Sequence, residues 1–163
     1  MFYRQSSNQY IQEGQSFEID GTFYPANWLN CTTPEEKAAI GIVEVIDDSS
    51  PEDDRFYWVS VVINGAVRSY TNTPKDLDEL KIQWSDQVRS VAYSMLLPSD
   101  WMVVKAMETQ TSIPADWNAY RSAVRTTCAN AVAAILAATD VPSLQSAVQV
   151  AWPKDPKSKN DTF

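Results

Sequence analysis

Three features of the sequence predict an α+β fold with a β-rich amino-terminal half and a carboxyl-terminal helical hairpin. Apolar residues alternate with period two in short runs up to about residue 72, and from there on they recur at spacings of three and four. Turn residues interrupt the first region often, whereas the second holds two long amphipathic runs. With 163 residues, 44% of them apolar, the chain can bury a core without disulfides or metals. The expected organisation is a β-rich unit over 1–72, a helical unit over 73–153 and a mobile end over 154–163, above all Lys157 to Phe163.

The elements follow in order. Ser16 to Ile19 and Thr22 to Tyr24 flank Asp20-Gly21, a two-residue signal for a tight hairpin, and Pro25 stops the second strand. Thr33-Pro34-Glu35-Glu36 supplies an N-cap, a proline at the first helical position and a glutamate three residues after the cap. The one short helix of this half therefore runs to about Ile40 and closes at Gly41. Ile42 to Ile46 reads as a strand, and Phe56 to Ile63 as another that turns at Asn64-Gly65 and returns as Ala66 to Tyr70. Between them, residues 47–54 carry the densest charge in the chain. A calcium loop is the tempting reading, but the central glycine and terminal glutamate of an EF-hand are missing, and a solvated acidic loop is the preferred one.

Thr73-Pro74-Lys75-Asp76 opens the helical half, with Leu77, Leu80, Trp84, Val88, Val91 and Met95 on one stripe until Pro98. From Pro74 to Leu97 such a helix is about 36 Å long and needs a partner for its stripe. Ser99-Asp100 caps a short amphipathic piece from Trp101 to about Met107. Ile113-Pro114 begins a second long helix with Trp117, Tyr120, Val124, Cys128, Ala131 and Ile135 on one face. Cys128 then reads as a small buried hydrophobe. A short last helix is expected within Asp140 to Val150, followed by extended chain through Trp152-Pro153.

Composition excludes several chemistries. The chain has no histidine, so Ser-His-Asp and Cys-His machinery and His-ligated metals are out. Its four glycines are too dispersed for a phosphate-cradling loop. A net charge of -8 opposes general nucleic-acid binding, which depends on Lys and Arg displacing counterions. Cys31 and Cys128 are far apart, no signal-peptide pattern opens the chain, and no apolar run suits a membrane span. The expectation is a reduced cytoplasmic protein with no cofactor, no bound metal and no membrane partner.

Three blocks carry a resemblance: Pro98-Ser99-Asp100-Trp101, the run Ile113 to Arg125 with its Asp116-Trp117 and Tyr120-Arg121, and Ala151-Trp152-Pro153. Their order and spacing resemble the tail assembly chaperone family of tailed bacteriophages, similar in layout to tail fibre assembly proteins. The amino half also looks like phage proteins that precede this module, through Ile19 to Leu29, Thr33 to Lys37, Gly41 to Val45 and Asp53 to Ser60. The chain departs from the pattern at Thr126, where many relatives have an acidic residue, and in an alanine-rich stretch from about Ala129 to Val150 that lengthens the link to Trp152-Pro153. The resemblance implies a non-enzymatic protein that helps a tail or tail-fibre polypeptide assemble in the host cytoplasm, or one that stays on the virion tail. Its partner would be that phage tail or tail-fibre protein.

Trp101, Trp117, Tyr120, Arg121, Arg125 and Trp152 are the candidate partner-binding residues, of the types that dominate protein-protein hot spots. Arg121 and Arg125, four apart and beside the apolar stripe, could grip carboxylates of a partner. The competing reading pairs them inside the hairpin with Asp100 or Glu108, and for the tryptophans it is core packing. An enzyme reading needs a carboxylate pair such as Glu108 with Asp116, or Glu44 with the acidic loop, and their spacing carries no support for it. No catalytic residue is assigned, and the oligomeric state is left open.

Overall fold

The computed structural model describes residues 1–156; the end expected to be mobile falls, over 157–163, outside the described residues. The fold is α+β. The chain divides into two compact units, Met1–Thr73 and Pro74–Phe163.

In the first unit, β1 (Phe2–Arg4) pairs antiparallel with both β2 (Gln9–Ile11) and β5 (Ile42–Glu44). The expected hairpin is β3 (Phe17–Ile19) and β4 (Thr22–Tyr24). Its turn has Asp20 at φ 50 and Gly21 at φ 79, the two positive angles that a right-twisted two-residue hairpin demands. Two short helices follow, not one: α1 (Trp28–Cys31) and α2 (Pro34–Ala39). The second carries the expected capping box, Thr33 accepting from the Glu36 N–H while Glu36 accepts from the Thr33 N–H. The core joins Phe2, Ile11, Phe17, Ile19, Leu29 and Ile42, all buried. Tyr24 stacks on Phe17 at 5.0 Å and Trp28 meets both rings edge-on.

The expected single strand over Ile42 to Ile46 is divided. Phe2 of β1 is opposite Glu44 of β5, whereas β6 (Ile46–Asp47) lies parallel to β8 (Val67–Pro74) in a separate sheet, with Ile46 opposite Val67. The Val45 N–H donates to the Met1 carbonyl at the switch. That sheet runs β6-β8-β7, so β7 (Tyr57–Asn64) is an edge strand, uncharged and with Trp58, Val61 and Val62 exposed. The β7–β8 turn is centred one residue later than expected. Asn64 ends β7, and Gly65, at φ 59, lies against the Tyr3 ring, where a Cβ would come within 3.5 Å of Tyr3 Cε1.

In the second unit, α3 (Leu77–Leu96) starts three residues after the expected Pro74, because Thr73 and Pro74 still belong to β8 and Asp76 is the N-cap, accepting from the Glu79 N–H. Leu80, Val88 and Ala92 are its buried apolar residues. A single 3₁₀ turn, Leu97–Ser99, leads into α4 (Asp100–Thr109), which ends with Gln110 in the left-handed region. Then come α5 (Ala115–Ala137) and α6 (Val141–Ala147), the latter capped reciprocally by Asp140 and Ser143. The helical hairpin is the α3–α5 pair. Ala92 packs with Trp117, Tyr120 and Val124, and Met95, Leu96, Ile113 and Trp152 close around them.

Candidate functional site

The three blocks that are separate in sequence meet in the helical unit, and Arg121 is the residue that ties two of them. It is 4% exposed, on the buried stripe of α5 and not beside it as expected. Its Nη1 donates to the Leu96 carbonyl at 3.1 Å and to Ser99 Oγ at 2.6 Å, and its Nη2 donates to Asp100 Oδ1 at 2.7 Å. A guanidinium can enter an interior only when its fork is filled in this way. Ser99 does not cap α4 through its side chain, contrary to expectation; its hydroxyl donates to the Leu96 carbonyl and receives the arginine. Of the two acids named for internal pairing, Asp100 is the one engaged.

The aromatic candidates divide in the same manner. Trp117 and Tyr120 are buried and meet edge to face at 5.8 Å. Burial raises the Tyr120 hydroxyl above its ordinary value, and the Asp155 carboxylate raises it further. Trp152, from the third block, is half-buried against this cluster. Trp101 is different: the residue is 57% exposed, with Lys105 Nζ 5.8 Å from its ring centroid. Leu97, Val104 and Met107 are exposed near it in sequence. Arg125 is exposed as well.

Arg125 borders a feature that the sequence reading missed. A groove of about 640 Å³ runs between α3 and α5. Arg89, Ala92, Tyr93 and Leu96 form its α3 side. Arg125, Cys128, Ala129, Val132, Ala133 and Leu136 form the other. Cys128 is therefore half-buried on a groove wall, not fully enclosed in the core. A signal was present: Ala129, Val132 and Leu136 each follow a stripe residue by one position, which places a second apolar stripe about 100° around the helix. An arc that wide exceeds what one partner helix covers.

The carboxylates of the acidic loop turn to separate partners. Asp47 accepts from Nε and Nη2 of Arg68, the latter at 2.9 Å, and this pairing holds its carboxyl below the usual range. Asp48 accepts from Ser49 and Ser69, and Asp53 accepts from Arg55. Among the described residues no group of three or more Cys, Asp or Glu is placed to hold a metal ion. Glu108 and Asp116, the pair named for a hydrolase, are both exposed. Among the described residues no helix is long and apolar enough to cross a membrane. No protein-family model, curated protein or solved structure matches the chain significantly.

Proposed function

We propose that this chain is a non-enzymatic assembly chaperone for a phage tail or tail-fibre protein, acting through protein-protein contacts. One observation carries the reading: the residues of the three resembling blocks serve one another. Arg121 of the second block holds Ser99 and Asp100 of the first, and Trp152 of the third packs on the cluster of Trp117 and Tyr120. The spacing of the blocks thus has a structural reason, since each supplies a part that the others need. The exposed Trp101 and Arg125 are the members of the candidate set left available to a partner.

Co-expression with a tail-fibre protein encoded in the same genome, which the proposal requires, tests it. Soluble, correctly oligomeric fibre should increase in the presence of the chain, and equal yields with and without it would refute the role. Mass spectrometry of purified virions then separates a transient chaperone, absent from particles, from a stoichiometric tail component.

A further inference from the structure

We propose that the α3–α5 groove is a docking site for an amphipathic helix of another polypeptide, one whose apolar face is flanked by Asp or Glu. This deepens the assembly reading by naming a surface and the chemistry of its occupant, and it rests on that reading only for which protein supplies the helix.

The walls dictate the shape of the occupant. Ala92, Ala129 and Ala133 keep the floor low enough for a helix backbone to approach, while Leu96, Val132 and Leu136 stand as ridges on either side. From Arg125 to Leu136 the α5 wall is about 17 Å long, room for about three turns of a docked helix. Tyr93, 64% exposed, and Leu136, 57% exposed, are large apolar side chains left in water here. A small polar ligand would need convergent hydrogen-bonding groups to orient it, and the lining apart from two arginines and the Tyr93 hydroxyl has none. Burying a stripe of apolar side chains spaced three and four apart is what such a groove does best.

Charge selects the flank. Both ionised residues of the lining are arginines, Arg89 and Arg125. No Asp or Glu occurs over 87–99 or over 117–139, the segments that build the groove. Arg89 shares its charge with Asp86 at 2.9 Å, one turn away along α3. Asp86 offsets Arg89, so Arg125 is the main cationic rim, and carboxylates beside the apolar stripe of a partner would be drawn to it. A second copy of this chain fits poorly, because a two-fold pairing through the same groove sets arginine rims against a lining without Asp or Glu, and Asp86 beside it is already bonded to Arg89. Four of its ten lining residues, Ala129, Val132, Ala133 and Leu136, belong to the alanine-rich stretch that departs from the resembling pattern.

The test uses the full chain and two synthetic helices of about 18 residues, each with a Leu/Ala face, one flanked by Glu and the other by Lys. Fluorescence anisotropy should show the Glu peptide binding at least about tenfold more tightly than the Lys peptide, a difference of about 1.4 kcal/mol. Saturating Glu peptide should slow iodoacetamide alkylation of Cys128 and leave that of exposed Cys31 unchanged, which provides an internal control. Ala133→Arg, at an exposed position, should abolish binding. Should that variant fold poorly, Arg125→Glu, also at an exposed position, should reverse the preference between the two peptides. Absence of binding, equal affinity for both peptides, or equal protection of both cysteines would overturn the proposal. So would a dimer in sedimentation velocity that Ala133→Arg dissociates, since that assigns the groove to a second copy. Peptide binding without any effect on fibre yield would sink the chaperone role and leave the docking site standing.

Discussion

The two units solve the problem of a small core differently, and the contrast shows where contact surfaces come from. Met1–Thr73 has 4 basic against 11 acidic residues, whereas Pro74–Phe163 has 9 against 10, so nearly all of the net charge belongs to the β-rich unit. In that unit short strands drawn from distant parts of the sequence surround one aromatic and aliphatic cluster, and the apolar residues left outside include Trp58, Val61 and Val62 of the edge strand β7 as well as Phe23 and Ile46. In the helical unit two long helices share one stripe, and the apolar surface left outside includes a groove with arginine rims as well as the exposed Trp101, Val104 and Met107 of α4. Like charge concentrated on one unit repels other acidic surfaces, whereas the near-neutral helical unit sets arginines beside its apolar groove.

The largest effect should come from the helical core. Trp117→Ala is expected to cost about 3–5 kcal/mol, read by urea denaturation followed at 222 nm, with amide exchange accelerating more in α3 and α5 than in β1 and β5. Equal acceleration in both sets would break the contrast between the units.

Next comes the pair of arginines. Arg121→Ala leaves the buried Ser99 hydroxyl and Leu96 carbonyl without their cationic donor, and we expect a loss of about 2–4 kcal/mol, moderated by the half-exposed position of Asp100. Arg125→Ala should stay within about 0.5 kcal/mol. Thermal melts of both variants check this, and similar melting temperatures would show that Arg121 is not the tie between α5 and the start of α4.

The smallest effect concerns acid. Arg68 holds the Asp47 carboxyl below its ordinary value, and hydrogen bonds from Ser143 do the same for the Asp140 cap. A carboxyl depressed in the folded state stabilises above its unfolded value, about 4, and loses that contribution as the pH falls through its folded value. Both units should therefore weaken on acidification below about pH 4. Asp47→Asn should lower the melting temperature slightly at pH 7 and flatten its fall in acid. An acid limb as steep as that of the unaltered chain would remove this pair from the account. At the alkaline end the sign reverses: the raised Tyr120 hydroxyl favours the folded chain below about pH 10, and that preference fades as the pH rises through its folded value.

Local signals were enough for much of this fold. Asp20-Gly21 specified its hairpin through two left-handed angles, the Thr33 capping box set the start of α2, and spacings of three and four placed α3 and α5. These are interactions within a few residues, and they are decided by residue type alone. Strand β1 escaped because Phe2-Tyr3-Arg4 has no period long enough to read and is a strand only through β2 and the distant β5. The division of Ile42 to Ile46 has the same cause, one end serving β1 and the other β8.

For the candidate site, residue types and helical spacing determined that Trp117, Tyr120, Arg121 and Arg125 share one helix. They could not separate the two arginines, which are equal in sequence. Tertiary structure decided that, because only Arg121 meets a carbonyl, a hydroxyl and a carboxylate close enough together to replace the water a guanidinium must give up. It decided the groove for a related reason: a helix with two apolar stripes shows by itself that it wants two neighbours, but which stripe is left without one depends on how many helices the fold supplies.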